Sequence, residues 1–334
     1  MINKYPLLAI RCLTYNHEPY IRQCLEGFVM QKTDFSFIAI VHDDASTDNT
    51  ADIIREYAEK YPDIIKPIYE TENQYSKHDG SLGRIMNAAI PENVKYVAMC
   101  EGDDYWIDPF KLQKQVDYME VHSNCSMTHT AFRYYFQVGR ILKSSFKEAN
   151  IIHSIDAGDS EKIIRSILNG NYYRIQTMTV VYRYDSYLNV IKSDPFLFDG
   201  HFLMGDTQLW TELIKRGKVH YFNDETSVYR VLENSSSHSI KCEKMLKFSL
   251  SCEELRIYLS KKYNYSDLLK KFRYQYSKLV TLANIADLNV TLLFNKEIYR
   301  SFRLLNLLIK FYPVKNLLKM TVLSYWIKKN NLIS

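Results

Sequence analysis

The 334-residue sequence is poor in glycine, proline and long apolar runs, and each shortage removes a class of protein. With 10 glycines and 8 prolines against 46% hydrophobic residues, the composition excludes collagen-like repetition and extended disorder. No apolar run approaches the roughly 18 to 20 residues that a membrane-spanning helix needs. The apolar stretch at residues 7–10 is shorter than the core of a secretory signal. We therefore expect a globular, cytoplasmic protein.

Cysteine is also scarce and scattered. None of the six cysteines lies in a Cys-x-x-Cys pair or at a Cys/His spacing typical of zinc sites. Isolated cysteines in a chain without a secretory signal are typical of reduced, buried thiols. The pattern excludes a secreted disulfide scaffold.

The net charge of +5 hides a division along the chain. The first 240 residues hold 25 basic and 32 acidic side chains, whereas residues 241–334 hold 18 basic and 6 acidic ones. This division predicts a catalytic or binding domain at 1–240 and a basic helical region at 241–334. Such a region suits contact with an anionic surface, and a solvated helical face is the alternative.

Strand and helix patterns alternate through the first 120 residues. The predicted strands are 7–14, 35–41, 64–69 and 96–100, and the predicted helices are 21–30, one capped by Ser46 or Thr47, 81–90, and one that starts at Asp108-Pro109. Short connections between alternating elements favour a parallel, doubly wound α/β sheet. Further on, 127–136 and 177–183 are predicted as strands, 206–216 as a helix, and 218–222 with 227–231 as a pair of short strands.

Three polar clusters follow the predicted strands. They are Thr14-Tyr15-Asn16, Asp43-Asp44 and Glu101-Gly102-Asp103-Asp104. Because ligands of such sheets bind beyond the carboxyl ends of the strands, we expect the three clusters to meet in one site.

The acidic cluster at 101–104 is the most specific of the three. Three carboxylates within four residues repel one another, and a hard divalent cation such as Mg²⁺ or Mn²⁺ relieves that repulsion. Gly102 lets the backbone turn tightly there. A solvent-exposed acidic turn is the alternative explanation.

Four segments of the sequence resemble family 2 glycosyltransferases. Residues 96–115 resemble the metal-binding segment of that family, 9–16 its opening strand, 41–50 its second signature, and 205–210 with Tyr229-Arg230 its acceptor-side segment. The resemblance runs in the same order over residues 5–240. It implies the Rossmann-like GT-A fold with a mainly parallel central sheet, and transfer from a nucleotide-diphospho-sugar with inversion.

The resemblance also implies roles for individual residues. Thr14, Tyr15, Asn16 and Asp44 would hold the nucleoside, with Asp43 supporting that loop; Asp103, with Glu101 or Asp104, would ligate the metal; and Asp206 would be the general base. For Asp206 a helix cap is the alternative. Arg84 is a candidate to pair with phosphate, or is a surface ion. His238 is a candidate diphosphate or metal contact, or part of an exposed polar loop.

The expected activity is the transfer of one sugar, since the chain lacks the Gln-x-x-Arg-Trp motif and membrane spans of the processive synthases of this family. We expect Mn²⁺ or Mg²⁺ as the cofactor, a UDP-sugar as the favoured donor, and a hydroxyl of a glycan or lipid-linked acceptor, in surface polysaccharide biosynthesis. The alternative is a non-catalytic sugar-nucleotide-binding protein with a docking tail. Binding to nucleic acid is not expected, because the first 240 residues are acidic.

The basic tail has a helical pattern at 296–329. Lys296, Arg300, Arg303 and Lys310 fall on one helical face, opposite apolar side chains. A basic amphipathic helix favours the surface of an anionic membrane, which would place the protein at the inner face of the cytoplasmic membrane. Packing on the first domain or on a second subunit is the alternative, and the sequence does not indicate an oligomeric state.

Overall fold

The computed structural model describes residues 5–145, 159–170, 175–232 and 242–285. These residues form two compact units, one of 5–201 with 205–231 and one of 202–204 with 232 and 242–285. The predicted domain boundary at 240 lies outside the described residues and stays a prediction. Within the ranges described, no helix has both the length and the apolar character needed to cross a membrane.

The first unit is built on one sheet flanked by helices. Its strands are β1 (Leu8–Thr14), β2 (Phe37–Asp43), β3 (Ile65–Tyr69), β4 (Tyr96–Met99), β5 (Tyr105–Trp106), β6 (Cys125–Phe136), β7 (Ile141–Ser144), β8 (Val181–Arg183) and β9 (Lys218–Val231). Its helices are α1 (Ile21–Val29), α2 (Thr50–Lys60), α3 (Ser81–Ala89), α4 (Lys111–Val121), α5 (Ser160–Asn169), α6 (Tyr184–Ser193) and α7 (Asp206–Arg216).

The sheet runs in the order β3-β2-β1-β4-β8-β6-β9-β5, with β7 paired to β6. The first four strands are parallel, and so is the long β6–β9 pair. The strand β8 lies antiparallel between β4 and β6 and joins the two parallel parts. The expected α/β fold with a mainly parallel sheet is confirmed.

The core explains why the first strands read as continuous apolar runs. Leu8, Ala9 and Ile10 in β1 are fully buried, because both faces of a parallel sheet are covered. On one face, α1 packs Ile21, Cys24, Leu25 and Phe28 against the strands at helical spacing. Cys12, Cys24, Cys100 and Cys125 are buried free thiols, as expected, whereas Cys252 is half-buried.

The predicted pair of short strands at 218–222 and 227–231 is wrong. Both segments belong to the single strand β9, which runs parallel to β6 from Lys218 to Val231. Residues 223–226 contain neither glycine nor proline, and the register shifts there as a bulge instead of turning back. The sequence correctly predicts an interruption of the strand pattern at these residues, but the prediction of a turn there is wrong.

Two smaller predictions also fail. Only Val181–Arg183 of the predicted strand 177–183 forms a strand, since Thr177–Thr179 forms a short 3₁₀ turn. The carbonyl of Met178 accepts hydrogen bonds from two side chains, those of Trp106 and Ser227. The helix expected to be capped by Ser46 or Thr47 starts later, at Thr50.

The second unit is helical. Its helices α8 (Cys242–Lys262) and α9 (Ser266–Ile285) pack against each other and bury Leu255, Phe272 and Tyr276. The hydroxyl of Tyr276 donates to Glu254 Oε1 at 2.8 Å in the interior. The predicted helical region is confirmed for 242–285, and the predicted membrane segment 296–329 lies outside the described residues.

Candidate metal and nucleotide site

Register brings the three polar clusters together at the carboxyl edge of the sheet. Thr14 at the end of β1 lies beside Asp43 at the end of β2. The N–H of Asp44 donates to the carbonyl of Thr14 at 2.9 Å, and the N–H of Gly102 donates to that of Leu13 at 2.9 Å. The expectation that the clusters meet in one place is therefore confirmed.

Glu101, Asp103 and Asp104 bring their carboxylates together. One oxygen from each lies within 4.8 Å of the others, the one group of three potential ligands found among the described residues. The turn requires Gly102, because a Cβ there would come within 2.8 Å of Thr14 Oγ1 and 2.9 Å of His17 Nδ1. An all-oxygen cluster of this kind fits Mg²⁺ or Mn²⁺.

Two carboxyls of this cluster, those of Glu101 and Asp104, have raised pKa values. Burial, followed by the charges of Asp103 and Asp206, raises the pKa of Glu101 to about 8. Burial and Asp103 raise the pKa of Asp104 well above its ordinary value. Glu101 keeps an exposed face, yet protein atoms surround it closely enough to displace much of its hydration. A bound cation would relieve the repulsion that these shifts express.

Asp206 is the first residue of α7, and Gly205 occupies the cap position. The Asp206 side chain makes no capping bond in the helix; its Oδ1 accepts the N–H of the next residue, Thr207, at 2.6 Å. Burial raises the pKa of Asp206. Because its charge acts on Glu101, this carboxyl lies close to the acidic cluster.

The nucleotide candidates divide into two groups. Thr14 Oγ1 and Asp43 Oδ1 are buried and accept or donate no hydrogen bond within the described chain. Asp44, in contrast, accepts the N–H groups of Gln74 and Tyr75 at 2.7 and 3.0 Å. Asp44 therefore holds the loop after β3, and Asp43 supports its own loop through Oδ2, which accepts the N–H of Ser46 at 3.2 Å. An ionised carboxylate has about four acceptor positions, so Asp44 keeps capacity for a ligand.

Asn16 ties the first two loops together. Its backbone is left-handed, with φ of 54°, a conformation that asparagine tolerates. Its N–H donates to Ser46 Oγ at 2.8 Å, and its Oδ1 accepts the N–H of Thr47 at 2.8 Å. Ser46 and Thr47 therefore serve this link instead of capping α2, where Asp48 Oδ1 accepts the N–H of Thr50.

Two further candidate residues, Tyr15 and Arg84, are more exposed. Tyr15 is 45% exposed at the carboxyl edge of the sheet, so a ligand could contact its ring. Arg84 lies exposed on α3 and donates to the carbonyl of Asp79 at 2.9 Å, with no ion pair to a described residue. His238 lies outside the described residues.

The structure adds two residues to the site. His17 Nδ1 is buried beside Gly102 without a hydrogen-bond partner, and burial lowers the pKa of His17 against the opposing charge of Asp103. Arg230, on β9, donates its backbone N–H to Asp104 Oδ1 at 2.7 Å. The Tyr229-Arg230 motif pointed to this position, but nothing in the sequence places β9 beside the acidic turn.

Comparison with known sequences and structures agrees with this geometry. The family model of glycosyl transferase family 2 matches residues 12–186. The uncharacterised protein Rv1520 of Mycobacterium tuberculosis is 36% identical over 218 residues, 64% of this chain and 59% of that protein. The chain thus spans about three fifths of the length of this relative. The putative teichuronic acid biosynthesis glycosyltransferase TuaG of Bacillus subtilis is 26% identical over 238 residues, 71% of this chain and 84% of that protein.

Among solved structures, the mannosyltransferase PcManGT of Pyrobaculum calidifontis, in complex with GDP-Man and Mn²⁺, superposes with a TM-score of 0.52. It is 14% identical, and the match covers 97% of this chain and 86% of that one. This likeness shows a shared fold, so the expected GT-A fold is confirmed. Since the family match takes in more than half of the chain and includes the acidic turn, the chain belongs to glycosyl transferase family 2.

Proposed function

We propose that the protein is a metal-dependent, inverting glycosyltransferase that moves one sugar from a nucleotide diphosphate to a hydroxyl of a glycan or lipid-linked acceptor. The observation that carries the proposal is the cluster of Glu101, Asp103 and Asp104, with the carboxyl of Asp206 near enough for its charge to act on Glu101. A cation-binding turn beside a single buried carboxyl supplies the two functions that such a transfer needs: stabilisation of a leaving diphosphate and activation of a hydroxyl.

Asp206 is the proposed general base. In the transfer the acceptor oxygen forms a bond to C1 of the sugar, the bond from C1 to the diphosphate oxygen breaks, and Asp206 takes the hydroxyl proton. The raised pKa of Asp206 suits this task, because a base works best when its pKa approaches the working pH. Attack from the face opposite the diphosphate gives inversion.

Asp103, with Glu101 and Asp104, would hold Mn²⁺ or Mg²⁺. A bound divalent cation supplies charge stabilisation for the leaving nucleoside diphosphate. The chain contributes the ligands, the tight turn at Gly102, and the N–H of Arg230 that orients Asp104.

The nucleotide would lie along the edge formed by Thr14, Tyr15, Asp43 and Asp44. Thr14 Oγ1 and Asp43 Oδ1 are buried without partners, and a ribose hydroxyl or a base N–H would satisfy them. Ionised carboxylates only accept hydrogen bonds, so they suit a base with a ring N–H, as uracil has. A UDP-sugar remains our favoured donor, and thymine and guanine, which share that feature, define the other donors to test.

The place of the reaction is also a proposal. The name of the relative TuaG refers to teichuronic acid biosynthesis, which supports a role in surface polysaccharide biosynthesis for this chain. We propose that residues 296–329 hold the protein at the inner face of the cytoplasmic membrane, near a lipid-linked acceptor. Co-flotation with anionic but not neutral vesicles, abolished when Lys296, Arg300, Arg303 and Lys310 become Gln, would support this placement.

Calorimetric titration with UDP, dTDP, GDP and CDP, each with and without Mn²⁺, tests the donor class. We expect one nucleotide to bind more tightly with Mn²⁺ present. The same titration of Asp103→Ala should lose the metal dependence. If no nucleotide binds in the presence of metal, the proposed function is wrong. If binding is tight but no acceptor in a broad panel is glycosylated, the non-catalytic alternative gains support.

A further inference from the structure

Arg230 is a buried cation whose side chain donates hydrogen bonds to three neutral oxygens of the described residues. It is 6% exposed. Its Nε donates to the carbonyl of Asp103 at 2.8 Å, its Nη1 to Gln137 Oε1 at 3.0 Å, and its Nη2 to Gln23 Oε1 at 2.7 Å. No carboxylate within the described part of the chain forms an ion pair with it at salt-bridge distance. Among the residues that the structure describes, the charge of Arg230 is therefore not neutralised by an ion pair.

Three aromatic rings enclose the guanidinium. Its central carbon lies 4.8 Å from the ring centre of Tyr20 and 5.3 Å from those of Tyr105 and Tyr135. Ring faces attract a cation and stabilise it away from water. Together with Gln23 and Gln137, these rings hold the guanidinium in one orientation beside the Asp103-Asp104 turn. The enclosure draws on the start of α1, on β5 and on β6, so it forms only in the folded unit.

The backbone N–H and the side chain of Arg230 both bind the dipeptide Asp103-Asp104. The backbone N–H binds the Asp104 carboxylate, and the side chain binds the Asp103 carbonyl. The carbonyl and carboxylate of this turn are thus fixed from outside it. The positive charge lies beside carboxylates that repel one another.

We propose that Arg230 is a positioning residue of the metal site, which holds the Asp103-Asp104 turn in its cation-binding shape and offsets its charge until a cation arrives. This inference rests on the proposed function, because it assumes that the turn binds a cation. Arg230 acts through the turn and needs no contact with substrate. Groups that orient metal ligands in this way typically change metal affinity about 10- to 100-fold when removed.

The test compares Arg230→Gln and Arg230→Lys with wild type by titrating Mn²⁺ into protein with UDP, and with dTDP or GDP where UDP does not bind. We expect Arg230→Gln to weaken Mn²⁺ binding about 10- to 100-fold. Arg230→Lys should recover only part of this loss, because an ammonium keeps the charge but cannot span the three oxygens. Arg133→Gln is the control, since Arg133 on β6 pairs with Glu225 and does not touch the turn.

A second readout separates positioning from general damage to the fold. In assays of sugar transfer or donor hydrolysis, excess Mn²⁺ should restore kcat of Arg230→Gln towards wild type, with a raised KM for the metal. Gln23→Leu, which removes one guanidinium partner, should shift metal affinity in the same direction by a smaller factor and keeps Arg230 if Arg230→Gln fails to fold.

The outcomes are distinct. If wild type itself binds no Mn²⁺ with any nucleotide, the proposed function fails and the inference with it. If wild type binds Mn²⁺ and Arg230→Gln binds it within twofold of wild type, the inference alone is overturned. A loss of kcat that excess Mn²⁺ does not restore would also overturn it.

Discussion

The carboxyl of Asp206, at the start of α7, lies close enough to Glu101 for its charge to add to burial and to Asp103 in raising the pKa of Glu101 to about 8. The proposed base and the proposed metal cluster therefore share one electrostatic environment. A cation at the cluster would lower the pKa of both groups. Binding of the metal would thus prepare Asp206 in its ionised form.

Metal binding should depend on pH because of this arrangement. Below about pH 8 the metal-free cluster carries a proton on Glu101 that a cation must displace. We expect the affinity for Mn²⁺ to rise about tenfold per pH unit between pH 6 and 8 and to level off above that. Calorimetry in buffers of different ionisation enthalpy should detect the released proton. In Glu101→Gln the slope should flatten, and an unchanged slope in that variant would show that Glu101 is not the titrating group.

Stability of the metal-free protein should move in the opposite direction. The pKa of Glu101 is raised on folding, so the folded state binds the proton more tightly than the unfolded state. The resulting stability is fully present below about pH 4.5 and is lost as pH rises to about 8. Because the side chain keeps an exposed face, we expect an effect of about 1 kcal/mol. Urea unfolding of wild type and Glu101→Gln across this range measures it, and parallel pH curves for the two would contradict it.

Replacement of Asp206 by Asn should remove the base without removing the site. We expect turnover to fall about 100- to 10,000-fold, because proton removal from the acceptor is lost. Nucleotide affinity should stay within about threefold of wild type, since Asp206 contacts the acceptor side of the reaction in our proposal. Asp63→Asn, at an exposed site between α2 and β3, is the matched control. Full activity of Asp206→Asn would exclude Asp206 as the base.

Substitution by alanine should have opposite effects on stability at Gly102 and at Gly83. At Gly102 a Cβ would meet Thr14 and His17 at 2.8 to 2.9 Å, so Gly102→Ala should cost about 1–3 kcal/mol and displace the metal turn. At Gly83, within α3, a Cβ meets nothing within 4 Å. Gly83→Ala should therefore stabilise the protein by about 0.5–1 kcal/mol. Thermal unfolding and Mn²⁺ titration of both variants check this, and retained metal binding in Gly102→Ala would contradict the packing argument.

The buried side chain of Lys111 should make the free energy of unfolding rise with pH in the alkaline range. This first residue of α4 is fully buried; its Nζ donates to Gln115 Oε1 at 2.7 Å and lies 4.6 Å from the ring centre of Trp106. Burial lowers the pKa of Lys111 to about 7, so above that pH the unfolded chain binds a proton that the folded chain has lost. We expect the free energy of unfolding to rise by up to about 1.4 kcal/mol per pH unit between pH 7 and 10, relative to Lys111→Met.

The exposed Lys114, one turn further along the same helix, provides the control for this experiment. Lys114→Met should not change the slope of stability against pH in that range. Identical slopes for wild type and Lys111→Met would show that Lys111 remains charged in the folded protein.

The sequence predicts the first half of the fold well because its signals there are local. The strands β1, β2 and β4 are largely apolar runs with polar residues after them, and Gly102 marks the tight turn. Parallel pairing then brings Thr14, Asp43 and the acidic turn together without further information. The metal cluster could be predicted for this reason.

The contacts that arise from distant pairing could not be predicted. Arg230 reaches Asp103 and Asp104 across more than 120 residues of chain, by way of the β5–β9 pair. The N–H groups of Gln74 and Tyr75 reach the Asp44 carboxylate from 30 and 31 residues further along the chain. Neither set of contacts can be inferred from local composition or periodicity.

One continuous piece of chain carries both Asp206 and Arg230. It runs from α7 directly into β9, which lies along β6 over its whole length. Gly217 alone separates the helix from the strand, so the positions of Asp206 and Arg230 are coupled through the backbone. A change that shifts β9 along β6 should therefore displace the proposed base and the group that orients the metal turn together.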